Sequence, residues 1–254
     1  MIDLTGRVAL ITGSSRGIGR ACALRLAEAG ADIVVNYRSS KSPAMDVASQ
    51  IQAMGRTAAV VRADVSQRDD VESMIEFVKL EFGGLDIVVS NAATGGFRPL
   101  MTTTDRNFDA AMQINVRPVI YLVQAALPLL EQTEHHSKVI AVSSHGAVIA
   151  LPMYGTIGSS KAALEATMRH FALELGDRGI NFNMVRAGLV ETDSTRRLPQ
   201  AEEIFAGRAE KTMTGDRFLT DREVADAVLY LSSPLSDLVQ GETLVVDGGA
   251  AIHV

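Results

Sequence analysis

The chain has 254 residues, of which 47% are hydrophobic and 21% charged, with a single cysteine and a formal net charge of −6. That apolar content excludes a disordered chain, and one Cys excludes a disulfide-stapled secreted domain. The acidic balance offers no footprint for nucleic acid. The longest uncharged apolar stretch, residues 118–130, holds two prolines and is shorter than the ~20 residues that a bilayer span needs. Asp3 and Arg7 interrupt any apolar run at the start, so neither a membrane segment nor a signal peptide is expected. With Cys22 alone, these features predict a reduced, cytoplasmic, soluble globule.

Short Val/Ile-rich runs at 8–11, 33–36, 58–62, 87–90, 138–142, 180–185 and 243–247 predict seven strands. They are nearly continuous in apolar residues, which is the pattern of strands covered on both faces. Between them lie Ala/Leu/Glu-rich segments, including 19–29, 44–54 and 161–175, that predict helices. Repeated β–α alternation without a linker predicts one α/β domain over 1–254. Its expected form is a doubly wound Rossmann-type parallel sheet of seven strands with helices on both faces. The least regular stretch, 189–220, lies between a strand and the next helix. Ligands of open α/β sheets bind at the carboxyl ends of strands, so this stretch reads as a substrate lid or as a solvated excursion.

The first strand runs into Thr12-Gly13-Ser14-Ser15-Arg16-Gly17-Ile18-Gly19, and a helix follows. In that context the glycines fit a dinucleotide loop: Gly13 for a tight turn, Gly17 for close approach to a diphosphate, Gly19 for close helix packing. The helix N-terminus would offer free N–H groups to the phosphates. At the end of the second strand, where an NAD site tends to carry an acid, stands neutral Asn36, followed by Arg38 and Ser39. Two guanidinium groups, Arg16 and Arg38, near one ribose suit a 2′-phosphate, so NADPH is expected over NADH.

These residues resemble the short-chain dehydrogenase/reductase superfamily, and the likeness runs over the whole chain. Asp64-Val65 matches the family's adenine contact, and Asn91-Ala92-Ala93 follows the fourth strand. Asn115 lies on a predicted helix at the structural and proton-relay position. Ser143-Ser144 closes the fifth strand, and Ser160-Lys161-Ala162-Ala163-Leu164 opens a long helix. Arg186-Ala187-Gly188 with Val190 and Thr192 resembles the Pro-Gly…Thr element beside the nicotinamide, with Ala187 in place of Pro. The resemblance implies cofactor contacts from Gly13, Ser15, Arg16, Gly17, Ile18, Gly19, Asn36, Arg38 and Ser39 in the first half. Further along it implies contacts from Asp64, Val65, Asn91, Ala92, Asn115, Ser143, Lys161, Gly188, Val190 and Thr192. It also implies a homotetramer, with residues 241–249 near a subunit interface, and no metal.

The catalytic spacing departs from the common Tyr-x-x-x-Lys. The residue four before Lys161 is Ile157, and the nearest phenol is Tyr154, giving Tyr-x6-Lys. This spacing, and the run from Tyr154 to Ala166, resembles type III enoyl-acyl-carrier-protein reductases. Residues seven apart share helical phase within about 20° but differ by ~10.5 Å in rise, against ~6 Å for four apart. Gly155 and Gly158 make a continuous helix unexpected here, so Tyr154 is predicted to project from a preceding loop. A phenol displaced from the nicotinamide suits an enoyl thioester, where hydride enters C3 and charge develops on the thioester oxygen. Tyr154, Lys161 and Ser144 are thus the candidate catalytic residues, with Ser144 the least defined in role.

The expected activity is NADPH-dependent reduction of the trans-2 double bond of an enoyl thioester, on acyl carrier protein or CoA, in fatty-acid or polyketide-like synthesis. A ketoreductase of a β-keto thioester or ketone is the alternative, and Ile157 also leaves room for a catalytically silent NADP-binding protein. His135-His136 reads as a solvated loop. His145 reads as a cleft-mouth residue, either a substrate contact or an exposed side chain. Arg196, Arg197, Arg208 and Lys211 could receive an acidic carrier protein, but Glu191, Asp193, Glu202 and Glu203 among them favour a solvated face.

Overall fold

The computed structural model describes residues 2–193, 195–198, 200–215 and 217–252. Seven strands, β1 (Val8–Ile11), β2 (Asp32–Tyr37), β3 (Ala58–Arg62), β4 (Ile87–Ser90), β5 (Ser137–Ser144), β6 (Ile180–Ala187) and β7 (Thr243–Val246), form one sheet. Their order is β3-β2-β1-β4-β5-β6-β7, and every pairing is parallel. Strand order reverses between β1 and β4, which opens a crevice at their carboxyl ends.

Alternation along the strands divides the core in two. Ala9, Ile11, Ile33 and Val35 face α1 (Gly17–Glu28), α2 (Lys41–Ala53) and α8 (Asp221–Leu231). Leu10, Val34, Val139 and Phe182 face α3 (Arg68–Phe82), α5 (Arg117–Leu130) and α6 (Gly155–Leu175). Burial on both faces explains why these strands read as continuous apolar runs rather than alternating ones. The apolar stretch at 118–130 is the buried helix α5, with Pro118 in its first turn, where a missing N–H costs nothing. Among the described residues, no helix is long and apolar enough to cross a membrane.

Two expectations change. Helix α6 begins at Gly155, six residues before its predicted start, and runs through both glycines. They serve packing rather than termination: a Cβ at Gly158 would lie 2.6 Å from the carbonyl oxygen of Gly146, and one at Gly155 would meet Leu100. The irregular segment 189–220 contains a 3₁₀ turn (Thr195–Arg197) and a ten-residue helix, α7 (Ala201–Glu210). Its Ser194, Pro199 and Asp216 lie outside the described residues. The segment's ends are joined by a bridge between Val190 and Leu219, so it leaves and returns beside the end of β6. Helix α4 (Asp105–Asn115) ends immediately before α5.

Candidate active site

A cleft of about 980 Å³ lies along the carboxyl ends of the strands. All of the predicted site residues line it except Asn115. Asn115 stands behind the wall, where its amide braces the chain after β4. It accepts the Thr94 N–H at 2.8 Å and donates to the Thr94 carbonyl at 2.9 Å and the Ser160 hydroxyl at 2.8 Å. The loop after β4 is therefore tied to α6 through one buried side chain.

At one end, the glycine loop leads into α1, whose first-turn N–H groups have no intrahelical partners, and residues 15–19 line the cleft. Gly17 faces Thr192 across the cleft and has φ +52, a left-handed conformation that a side chain would strain. A Cβ at Gly19 would lie 2.5 Å from the Asn91 amide nitrogen, which itself donates to the Thr12 carbonyl at 2.9 Å. The Thr12 hydroxyl accepts the N–H groups of Asn91 and Ala92, both at 3.0 Å. The loop is thus laced to the end of β4.

Asn36 lines the cleft but is only 1% exposed. Its Oδ1 accepts the Gly13 N–H at 3.1 Å, and its Nδ2 donates to the carbonyls of Val61 and Ala63. These bonds hold the glycine loop against β3 and occupy the amide that the sequence assigned to the cofactor. Arg16 and Arg38 do reach the cleft, with side chains 62% and 63% exposed. Arg16 meets Asp193 at 3.4 Å and Arg38 meets Asp64 at 3.8 Å. Exposed pairs of that length are weak, so an arriving phosphate can displace either acid.

At the other end sit Ser144, Tyr154 and Lys161. Tyr154 is the residue immediately before α6, and Lys161 lies two turns into that helix. Met153, in the left-handed region at φ 59, turns the chain into position, and its carbonyl accepts the Arg98 N–H at 2.8 Å. The Tyr154 ring occupies the space a Cβ of Gly146 would fill and stacks on Phe97, centroids 6.0 Å apart. Its hydroxyl donates to Ser144 Oγ at 3.1 Å. Ile157, at the usual tyrosine position, is instead buried beneath Gly95. The phenol has moved in sequence yet still meets the serine.

Burial raises the Tyr154 pKa above its ordinary value, with the Ser144 hydrogen bond opposing, so the phenol carries its proton at neutral pH. Lys161 Nζ donates to the Val142 carbonyl at 2.7 Å, and burial lowers its pKa to about 8 against the pull of Glu165. That carboxylate accepts from Ser143 Oγ at 2.5 Å and from Arg186 Nε and Nη2 at 3.0 and 2.5 Å. Ser143 therefore lines the cleft with its hydroxyl turned to Glu165.

The sequence missed Phe97 and Thr195, which also line the cleft, as does Arg197 of the basic cluster. Phe97 carried a signal: it is the one aromatic residue in the loop following the fourth strand, at a carboxyl end. His145 departs from expectation altogether. It is 4% exposed, behind the cleft rather than at its mouth. The supposed basic face is divided as well: Arg196 pairs with Glu191, Arg208 donates to the Ala250 carbonyl, and Arg197 faces the cleft.

Residues 13–251 match the family described as enoyl-(acyl carrier protein) reductase. The chain belongs to this family of short-chain dehydrogenase/reductases. A 1-cyclohexenylcarbonyl-CoA reductase of Streptomyces collinus is 35% identical over 248 residues, covering 97% of this chain and 87% of that protein. A hydroxynaphthalene reductase-like protein of Metarhizium robertsii is 33% identical, with 98% and 96% covered. Among solved structures, a gluconate 5-dehydrogenase of Burkholderia cenocepacia in complex with NADP and tartrate superposes with a TM-score of 0.92 at 32% identity, covering 99% of this chain and 98% of that one. The chain is thus an oxidoreductase of this superfamily, and its relatives include both reductases and a dehydrogenase.

Proposed function

We propose that this short-chain reductase uses NADPH to saturate the trans-2 double bond of an enoyl thioester carried on CoA or an acyl carrier protein. The carrying observation is a protonated phenol, Tyr154, held on Ser144 from a position seven residues before Lys161. The cleft supports that cofactor: the N-terminus of α1 and side-chain-free Gly17 line it, as do two exposed guanidinium groups, Arg16 and Arg38, able to pair with a 2′-phosphate. The 1-cyclohexenylcarbonyl-CoA reductase among the relatives supports a conjugated acyl thioester as substrate.

When bound, NADPH supplies the hydride, delivered to C3 of the substrate. Tyr154 donates a hydrogen bond to the thioester oxygen, where negative charge develops, and so stabilises the enolate. Ser144, which accepts the phenol's proton in the structure, would donate its own hydroxyl proton to the phenol oxygen once that proton turns to the thioester. Lys161 would hold the ribose hydroxyls of the bound cofactor and would add positive charge that favours the enolate. Protonation at C2 completes the saturated product. Segment 189–220 is the substrate lid, whose two ends converge at Val190 and Leu219. The family resemblance also supports a homotetramer, and sedimentation would read a four-fold mass.

One observation favours a second reading. The Tyr154–Ser144 contact is equally able to activate a ketone, so a β-keto thioester remains the competing substrate class. The silent reading loses its ground, because Ile157 vacates no role that Tyr154 does not fill. NADPH oxidation with crotonyl and acetoacetyl thioesters in parallel tests the assignment. Faster turnover of the crotonyl substrate is expected, and turnover of acetoacetyl thioester alone would replace the assignment with a ketoreductase.

A further inference from the structure

Behind the cleft, a buried pair that catalysis does not use joins the end of β5 to the loop after β7. His145 directly follows Ser144, and its Nε2 lies 3.0 Å from Asp247 Oδ2, with the two side chains only 5% and 6% exposed. The contact is close but not aligned as a hydrogen bond. Burial, reinforced by Arg208 and Arg186, holds the imidazole pKa below its ordinary 6.5 against the pull of Asp247, so the ring is neutral at pH 7. The neutral ring therefore packs against Asp247 Oδ2 and closes that carboxylate off from the β5 side.

Asp247 organises its own loop. Its carboxylate accepts the N–H of Gly249 at 2.8 Å and that of Ala251 at 3.0 Å. This loop in turn grips the far part of segment 189–220. The Met213 N–H donates to the Gly248 carbonyl at 2.8 Å, and Arg208 Nη1 donates to the Ala250 carbonyl at 3.3 Å. A Cβ at Gly248 would lie 2.5 Å from Thr212, so the two chains touch closely. At the junction is a cavity of about 20 Å³, lined by His145, Asp247, Arg208, Arg217, Phe218 and Leu219 among others. Gly188, on the cleft wall, packs against the other side of Asp247.

We propose that His145 and Asp247 are positioning residues that fix the lid against the catalytic end of the cleft. The chain of contacts runs from Ser144 through His145 and Asp247 to loop 247–251, and from there to residues 208–219. It sets how far the lid stands from Tyr154, and so how tightly an acyl chain is covered. Neither residue lines the cleft. The role rests on the lid reading given above, and its primary test needs no turnover.

Hydrogen–deuterium exchange on the full-length protein, with and without NADPH, reads the lid directly. In His145→Ala, amides of 208–219 should exchange about ten-fold faster while those of α1 stay unchanged. With crotonyl thioester, KM should rise about five-fold or more, while NADPH affinity stays within about two-fold of the parent. His145→Gln keeps a polar side chain of similar reach beside Asp247 and should recover most of the protection. Unchanged exchange at 208–219, an equal rise throughout the chain, or a glutamine variant no better than alanine would each overturn the proposal. Should His145→Ala fail to fold, Asp247→Asn is read by the same exchange, and full protection in that variant also overturns it. Absence of crotonyl turnover in the parent protein would sink the functional reading, while the exchange result would still decide the positioning role.

Discussion

Tyr154 shows how a displaced functional group can keep its partner. The ring rests against Gly146, stacks on Phe97 and ends on Ser144, so the phenol is fixed although the helix has given its usual place to Ile157. Tyr154→Phe keeps the packing and removes only the donor; turnover should fall at least ~100-fold while NADPH affinity stays near the parent value. Steady-state kinetics and cofactor titration check both halves. Lys161 makes a different prediction. Its folded pKa, about 8, lies below the ordinary lysine value of 10.5, so folding at pH 7 buries a charge it would rather not hold. Lys161→Met should abolish activity yet raise stability by about 1–3 kcal/mol, reduced somewhat by the Val142 carbonyl left unpaired. The sign follows from linkage: the penalty is complete below pH 8 and gone above 10.5. Thermal melts should therefore show the variant's advantage shrinking as pH rises through that window. At this scale Ser144, Tyr154 and Lys161 were legible because motif spacing carries them. Asn36 was not, since its role as a brace depends on Val61 and Ala63 carbonyls that only the folded sheet brings near.

Among the elements, α6 is where sequence pattern and packing part company. Glycines at 155 and 158 read as helix breakers, yet both sit where a neighbour leaves no room for a side chain. Propensity against glycine is worth only ~1 kcal/mol per residue, and tertiary contacts outweigh it. Gly158→Ala should gain helix propensity but lose more by driving its methyl into the Gly146 carbonyl. A net loss of about 1–3 kcal/mol is expected, with turnover reduced through the displaced Tyr154. A variant as stable and active as the parent would show that the β5–α6 contact is looser than the structure has it. The strands, by contrast, were legible almost to the residue, because burial on both faces leaves a short, unbroken apolar signature. Segment 189–220 was legible only as an irregularity. Its helix α7 has no strongly apolar face, so nothing in the pattern announced it.

The whole molecule carries an acidic charge of −6, but its cleft answers to local charge. Arg16 and Arg38 line a crevice created by the strand reversal between β1 and β4. Because both guanidinium groups are exposed, preference for NADPH over NADH should weaken as salt rises. Arg38→Ala should lower NADPH affinity about ten-fold and leave NADH affinity unchanged; equal losses for both cofactors would remove Arg38 from phosphate recognition. The parallel sheet covered on both faces followed from β–α alternation, while the reaction did not, since relatives named as a CoA-linked reductase and a sugar-acid dehydrogenase share the architecture.

That choice of bond is the centre of the account. The direct measurement offers the protein equal amounts of crotonyl and acetoacetyl thioester together with NADPH deuterated at C4, and identifies the products by mass spectrometry. Butyryl thioester carrying one deuterium at C3 is the predicted major product. Formation of 3-hydroxybutyryl thioester with no labelled butyryl product would contradict it.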